Sequence, residues 1–283
     1  SIAGHLKLGN IIYFYDDNHI TIEGKTELTY SEDVQKRFEA YGWQVLRADA
    51  YNHDEIRKAI IEAQNEKEKP TIIITRSHIG YGSPNKVDTA EVHGAPLGAD
   101  ELIETKKNLN WPLDKEFYVP EEVKNLFQER KNELKKLYED WNKKFDEWKK
   151  SNPEKAELFD KYINNWLPEN LEEELLNAAP KEPNATRSLS SKVIQKIAQL
   201  VPNFVGGSAD LAPSTNTYMK DFEAIAPGKF AGKNFHFGIR EHAMGAIING
   251  IVLYGGFRPF GATFFVFSDY MRPTIRLAAI MEI

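Results

Sequence analysis

The chain of 283 residues contains no cysteine. Disulfide bonds, thiolate metal sites and a cysteine nucleophile are therefore excluded. A cysteine-free composition is compatible with the reducing cytoplasm, and we expect the protein to be cytoplasmic.

Long hydrophobic runs are also missing. The longest apolar stretches, such as 11–15 and 72–74, are far shorter than the roughly 20 residues that a membrane-spanning helix needs. The sequence begins with neither methionine nor the basic and then apolar pattern of a signal peptide. Both ends interrupt apparent secondary structure. We therefore expect a soluble internal piece of a longer protein that does not span a membrane.

An excess of positive charge is absent as well. The 36 basic and 42 acidic residues give a formal net charge of -6, which argues against a general nucleic-acid or anionic-membrane surface. A local basic pocket for a phosphate group is compatible with this balance. We expect small molecules or protein as partners, and neither nucleic acid nor membrane.

The apolar material that is present, 41% hydrophobic and 12% aromatic residues, is enough for the cores of two domains. In the first region, short apolar runs alternate with helical patterns. The runs at 11–15, 43–46 and 70–75 predict strands, and the segments from Asp33 to Tyr41 and from 54 to 65 predict helices. This alternation implies a parallel sheet with helices on its faces.

A second alternating region begins near Thr186. Its predicted strands are 204–207, 234–237 and 259–263, and its predicted helices are 188–200, 241–253 and a segment from the last strand to the end. We therefore expect a second α/β unit. In parallel sheets, ligands bind at the carboxyl ends of the strands, so the loops after these strands are the candidate sites.

The segment between the two regions has a different character. Pro120 is at a plausible first helical position, and apolar residues recur at helical spacing as far as Trp148. Aromatic and basic residues interleave here, as in some RNA-binding or membrane-binding helices. Acids alternate with the lysines, however, so we expect a packed apolar stripe with a solvated charged face. The proline-rich stretch 151–184 is expected to be a connector of short helices.

Two loops of the first region carry candidate chemistry. Asn18 follows a predicted strand within Asp16-Asp17-Asn18, and an amide oxygen with a nearby backbone carbonyl suits Mg²⁺ or Ca²⁺ that bridges a diphosphate. An ordinary turn explains the same residues. His93 lies in a Gly- and Pro-rich loop, where it could donate to a phosphate or act as an acid or base. An ordinary loop histidine is the alternative.

The second region has two further candidates. The segment Gly206 to Ser214 offers small residues, an acid and a hydroxyl at a strand end as a polar wall, and the preceding Arg187 could clamp an anion. Turn formation explains most of this segment equally well. Glu241 opens an apolar helix, where helix capping is the alternative. Aromatic residues follow the next strand and could stack a flat heterocycle, with core packing as their alternative. They are Phe264, Phe267 and Tyr270.

A series of segments, taken in their order along the chain, resembles the transketolase family of thiamine-diphosphate-dependent enzymes. They are AGHLKLGNIIYFYDDNHITIEG, RFEAYGW, IGYGSPNK, HGAPLG, GGSADLAPS, HFGIREHAMGAIINGI and TFFVFSDYMR. The resemblance implies two thiamine-diphosphate-binding-type three-layer α/β domains, each a parallel sheet with helices on both faces, both incomplete and joined by a helical linker. It implies the C-terminal part of the diphosphate-binding domain at 1–150, the linker at 151–184, and the N-terminal part of the aminopyrimidine-binding domain at 185–283.

The resemblance also implies roles for single residues of the first domain. The Asn18 amide and the Ile20 carbonyl match metal ligands for Mg²⁺ or Ca²⁺. Ile22 and Ile79 match apolar contacts to thiamine diphosphate. His93 matches a histidine near the diphosphate and the reacting carbon, so it is expected to act in cofactor binding, substrate binding and catalysis.

In the second domain, Asp210 matches a residue near the cofactor and substrate. Arg187 and Ser214 match the clamp on a sugar phosphate. Glu241 matches the catalytic glutamate that bonds the aminopyrimidine ring. The aromatic pocket for that ring matches Phe264, Phe267 and Tyr270.

The resemblance implies transfer of a two-carbon ketol unit from a ketose phosphate to an aldose phosphate, as in the pentose phosphate pathway, by a homodimer whose active site lies at the subunit interface. The family's Gly-Asp-Gly segment, which supplies the aspartate metal ligand, is absent here. We therefore expect this chain alone to be inactive. The alternatives are dihydroxyacetone synthase, which uses formaldehyde as acceptor, and a non-catalytic transketolase-like assembly protein.

Overall fold

Two separate parallel sheets organise the chain. The computed structural model describes residues 1–283, which divide into two compact units, Ser1–Leu126 and Phe127–Ile283. Each unit contains one three-stranded parallel sheet flanked by helices. This confirms the predicted α/β class.

The sheet of the first unit has the strand order β1-β3-β2. Its strands are β1 Ile12–Asp17, β2 Gln44–Asp49 and β3 Thr71–Arg76. Its helices are α1 Ile2–His5, α2 Val34–Ala40, α3 His53–Asn65, α4 Ala99–Asn108 and the start of α5 Glu121–Ser151. The central strand β3 is buried at every position except Arg76, as expected for an apolar strand covered on both faces.

Side-chain caps and small residues explain why the first unit folds in this way. Asp33 accepts a hydrogen bond from the backbone N–H of Lys36 and so caps α2, while the Asn52 side chain caps α3 in the same manner. The core between α3 and the sheet consists of small and branched apolar side chains. They are Ala48, Ala59, Ala63 and Ile73, with Ile12, Leu46, Ile56 and Ile60 packed against them.

The sheet of the second unit has the strand order β5-β4-β6. Its strands are β4 Phe204–Ser208, β5 Asn234–His236 and β6 Arg258–Ala262. Its helices are the rest of α5, then α6 Pro153–Ile163, α7 Leu171–Ala178, α8 Thr186–Leu200, α9 Ala212–Thr215, α10 Glu241–Tyr254 and α11 Arg272–Ile280. The central strand requires glycine, because a Cβ at Gly207 would lie 1.8 Å from the carbonyl oxygen of Phe235.

The long helix α5 differs from its prediction. Its apolar stripe is packed only at the C-terminal end, where Phe145 and Trp148 contact Phe159 of α6 at ring-centroid distances of 5.4 and 6.4 Å. Val123 is half-buried and the remaining members are exposed, so the prediction of a packed stripe is wrong for most of the helix. They are Leu126, Phe127, Leu134, Leu137, Tyr138 and Trp141. Helical spacing aligns apolar side chains on one face, but it does not supply a surface that covers them.

Two element boundaries also differ from expectation. Strand β1 includes Asp16 and Asp17, which were expected in a loop. The final predicted helix is divided, because Phe265–Met271 forms a 3₁₀ helix before α11. The stretch 151–184 contains two short helices, α6 and α7, while its role as a connector and the domain boundaries stay predictions. No helix has both the length and the apolar composition needed to cross a membrane.

Candidate active site

The three strands of the first unit end at the same edge of their sheet. Asp17 at the end of β1 and Asp49 at the end of β2 are both in register with Arg76 of β3. The Arg76 guanidinium donates to the backbone carbonyl of Asp17 at 2.9 Å, which fixes the start of the loop that follows β1. A cavity of about 710 Å³ opens at this edge, and Asn18 and Ile20 line it.

Asn18 is held in a tight local turn. Its side-chain oxygen accepts a hydrogen bond from the backbone N–H of Ile20 at 2.9 Å, and His19 between them has a positive φ of 62°. The carbonyl of Ile20 accepts no hydrogen bond from the protein. An amide oxygen with a second lone pair and a free carbonyl are hard oxygen donors of the kind that Mg²⁺ and Ca²⁺ prefer. The pair fits part of a metal site, and the chain has no cluster of three or more His, Cys, Asp or Glu residues that could hold a metal ion.

Two tyrosines near this cavity were not identified from the sequence. Tyr15 and Tyr30 both line it, and their hydroxyls are 3.0 Å apart. Burial, and next the hydrogen bond with Tyr30, raise the pKa of Tyr15 above its ordinary value. The Tyr15 hydroxyl therefore stays protonated at neutral pH. No local sequence pattern joins residues 15 positions apart across a loop, which is why the pair was missed.

The other predicted residues of the first unit lie outside this cavity. Ile22 is exposed, with 77% of its surface accessible, and Ile79 is half-buried at the start of the loop after β3. His93 is exposed at the end of a short 3₁₀ helix, Ala90–Val92. The structure therefore brings Asn18 and Ile20 together, with Ile22 exposed on the same loop and Ile79 and His93 on the loop after β3.

The second unit has the same arrangement at its own sheet edge. Ser208 of β4 is in register with His236 of β5 and with Ala262 of β6. The Ala209 N–H donates to the Ala262 carbonyl at 3.0 Å, so the pairing continues past the strand ends. Because Asp210, Glu241 and Phe264 each follow one of these three strands, their loops start from one edge.

Glu241 begins α10 and is only 8% exposed. Its carboxylate accepts no hydrogen bond from the protein and forms no ion pair, and α10 has no side-chain cap. A carboxylate at a helix N-terminus is favoured by the helix dipole, although the side chain forms no capping hydrogen bond. The carboxylate is therefore free to accept a hydrogen bond from a ligand that brings its own donor.

The aromatic residues after β6 form a partly open row. Phe264 stacks on Phe267 at a centroid distance of 5.9 Å, and Phe267 lies 6.1 Å from Tyr270. Phe264 is 40% exposed and Tyr270 is 64% exposed, so simple core packing does not account for them. Accessible ring faces of this kind suit a flat heterocycle.

The remaining predicted residues of the second unit are exposed. Asp210 has a left-handed backbone with φ 61° directly after β4, a conformation that Asp tolerates better than most residues. Arg187 lies in the first turn of α8 and Ser214 lies in α9. Neither side chain makes a hydrogen bond or ion pair within the chain, so both are available to a ligand.

Two family models match the chain in sequence order. The model for "Transketolase, thiamine diphosphate binding domain" matches residues 1–168. The model for "Transketolase, pyrimidine binding domain" matches residues 182–283. Together they match all of the chain except residues 169–181.

Individual proteins with similar sequences are also transketolases. Transketolase from Aquifex aeolicus (strain VF5) is 48% identical over 292 residues, covering 100% of this chain and 40% of that protein. Transketolase from Geobacillus stearothermophilus is 47% identical, with 99% and 42% covered. The chain thus spans about two fifths of the length of these relatives.

Solved structures agree with the sequence matches. Transketolase from Leishmania mexicana superposes with a TM-score of 0.93 at 32% identity, covering 99% of this chain and 42% of that one. Pichia stipitis transketolase in complex with sedoheptulose 7-phosphate gives a TM-score of 0.91 at 38% identity, with 98% and 42% covered. The chain therefore belongs to the transketolase family.

Proposed function

We propose that the chain is the central part of a transketolase that transfers a two-carbon ketol unit from a ketose phosphate to an aldose phosphate. The observation that supports this most directly is Glu241 at the start of α10, a residue only 8% exposed whose carboxylate accepts no hydrogen bond from the protein. An open aromatic row follows the neighbouring strand β6. A buried acid without a protein partner and accessible ring faces suit a flat heterocycle that carries a protonatable nitrogen.

The proposed cofactor is thiamine diphosphate with Mg²⁺ or Ca²⁺. Bound thiamine diphosphate supplies a carbon nucleophile for a ketose carbonyl and an electron sink for cleavage of the adjacent carbon–carbon bond. The Asn18 amide and the Ile20 carbonyl would hold the metal, with Ile22 and Ile79 as apolar contacts. His93 would lie near the diphosphate and the reacting carbon.

The second unit would bind the aminopyrimidine part of the cofactor. Glu241 would share a proton with a ring nitrogen, which is acid–base chemistry carried out by a carboxylate. Asp210 would lie near the cofactor and substrate. The aromatic row would stack the ring and exclude water from it, through Phe264, Phe267 and Tyr270.

Sugar phosphates are the proposed substrates. The Pichia stipitis enzyme was solved with fructose 6-phosphate and with sedoheptulose 7-phosphate. In this chain Arg187 and Ser214 are exposed and have free donors, and a guanidinium with a hydroxyl is a suitable clamp for a phosphate group. The proposed setting is the pentose phosphate pathway in the cytoplasm.

The proposed assembly is a homodimer with active sites at the subunit interface. Asn18 and Ile20 supply only part of a metal coordination sphere, and we propose that diphosphate oxygens, water and other residues of the full-length protein complete it. We therefore propose that the chain alone has little activity and that the full-length protein is the enzyme. Robust ketol transfer by purified residues 1–283 would contradict this part of the proposal.

A substitution of Glu241 tests the proposed role. In the full-length protein, Glu241→Ala is expected to lower turnover by about 10²- to 10⁴-fold, the range typical of a lost acid–base group. Binding of Mg²⁺ with thiamine diphosphate is expected to persist, because Asn18 and Ile20 are unchanged. Steady-state kinetics and calorimetry measure the two quantities.

Glu223→Ala is the matched control for this experiment, since Glu223 is an exposed acid of the same unit whose side chain makes no contact. It should leave turnover unchanged. Near-normal turnover of the Glu241 variant would overturn the assignment. Transfer to formaldehyde in preference to an aldose phosphate would favour a dihydroxyacetone synthase.

A further inference from the structure

The loop between β3 and α4, residues 77–98, contains both Ile79 and His93. Apart from the short 3₁₀ helix Ala90–Val92, it has no regular secondary structure. Side chains on such a loop are placed accurately only when other groups fix the backbone. Glu101, in the first turn of α4, accepts three hydrogen bonds from this loop.

Both carboxylate oxygens of Glu101 are used on this loop. One oxygen accepts hydrogen bonds from the Ser83 hydroxyl and from the Asn85 backbone N–H, the latter at 2.9 Å. The other accepts from the Asn85 side-chain amide at 2.9 Å. Ser83 is only 2% exposed. The hydrogen bond from Ser83, those from Asn85 and the nearby Lys86 charge lower the pKa of Glu101, so the carboxylate is ionised in the neutral range.

Lys86 extends this network to the segment that carries His93. Its backbone N–H donates to the Ser83 hydroxyl at 3.1 Å, and its ammonium donates to the carbonyl of Leu97 at 2.9 Å. The Thr89 hydroxyl donates to the carbonyl of Lys86 at 2.8 Å. Residues 86 and 97 are thereby joined at the base of the loop, and His93 lies between them.

We propose that Glu101 is a positioning residue for the proposed ketol transfer, which acts through Ser83, Asn85 and Lys86 to hold the 86–97 segment and present His93. This inference rests on the function proposed above. Glu101 does not itself contact the cavity beside Asn18. Its neighbour Asp100 shares the helix N-terminus and the negative charge but makes no side-chain contact, so it is a matched control.

Hydrogen exchange tests the structural half of the proposal without any activity measurement. In the full-length protein, Glu101→Ala is expected to speed amide exchange in 86–97 by about tenfold, because local opening of that segment becomes easier. Exchange in β1 and β3 should not change. Asp100→Ala should leave both regions as in the wild type. Equal protection of 86–97 in all three proteins would overturn the proposal.

Kinetics test the link to His93. Glu101→Ala is expected to lower kcat/KM for the ketose phosphate by about tenfold, and Glu101→Gln, which keeps one acceptor oxygen, should recover part of that loss. In a His93→Ala background, Glu101→Ala should lower kcat/KM little further, because both changes remove the same interaction.

Full additivity of the two losses in kcat/KM would overturn the positioning role. If Glu101→Ala does not fold, the cycle is carried out with Glu101→Gln, and the same two outcomes apply. A wild-type protein without ketol transfer would refute the proposed function, whereas faster exchange of 86–97 in the Glu101 variant would still be measurable. The two failures are therefore distinguishable.

Discussion

Single side chains decide where helices of this chain begin, and the start of α2 is a clear case. The Asp33 carboxylate accepts the backbone N–H of Lys36 at 3.1 Å and lies 3.3 Å from its ammonium. The backbone hydrogen bond from Lys36 is the largest cause that lowers the pKa of Asp33 below 3.8. The ionised form is therefore the one that stabilises the helix.

The pH dependence of stability follows from the sign of this shift. The pKa of Asp33 is lower in the folded state than in the unfolded state. The stabilisation by its carboxylate is therefore complete above the unfolded-state pKa and is lost as pH falls through the folded-state pKa. Asp33→Asn keeps a capping oxygen but removes the titration. We expect the wild type to exceed this variant in free energy of unfolding at pH ~7, and the difference to shrink below pH ~3.8. Urea denaturation at several pH values measures it, and a constant difference would contradict the prediction.

Which candidate site residues could be proposed from the sequence depended on how far apart the interacting partners are. Asn18 and Glu241 were identifiable, because each directly follows or opens an element that the local pattern predicts. Glu101 and Ser83 are 18 positions apart, and Arg76 reaches Asp17 over 59 positions. Pairs of this kind form when distant parts of the chain fold against each other, so no local pattern encodes them.

Among the elements, α10 shows how closely a helix can approach its neighbour. Gly245 faces α11, and a Cβ added there would lie 2.2 Å from the Thr274 hydroxyl oxygen and 2.9 Å from its Cβ. Thr274 is 2% exposed and donates to the carbonyl of Met271 at 2.8 Å, so it cannot move away easily. Gly250 is on the same helix and has nothing within 4 Å.

These two glycines give a matched pair of substitutions. Gly245→Ala is expected to lower the free energy of unfolding by about 1–3 kcal/mol through overpacking. Gly250→Ala is expected to raise it by about 0.5–1 kcal/mol, because alanine favours the helix and meets no obstacle. The midpoints of urea denaturation show whether each variant is less or more stable than the wild type. Equal effects would mean that α10 and α11 do not pack as closely as described.

The order of helices and strands was predictable because periodicity and capping residues act within one segment. The strands β3 and β4 and the helices α3 and α8 lie within a few residues of their predicted positions. The burial of α5 was not predictable in this way. Whether an apolar face is covered depends on which surface reaches it, and that is a property of the tertiary structure.

At the scale of the whole molecule, the chain leaves much apolar surface accessible. Leu137 of α5 is 61% exposed and Trp141 is 55% exposed, although both belong to one helical stripe. On the first sheet, Tyr13 is 59% exposed and stacks on Trp43. Contiguous exposed apolar patches are uncommon on soluble monomers. This agrees with the proposal that further chain or a second subunit belongs to the working enzyme.

The exposed stripe of α5 makes a measurable prediction for purified residues 1–283. Leu137→Gln combined with Trp141→Gln should reduce the fluorescence of a bound hydrophobic dye, because the two side chains supply accessible apolar area on one face. Stability should change by less than about 0.5 kcal/mol, since both positions are exposed. Lys136→Gln with Lys144→Gln is the matched control, because both lysines are exposed on the same helix and form no ion pair. Unchanged dye fluorescence in the first pair, or an equal decrease in the control, would mean that the stripe is covered in solution.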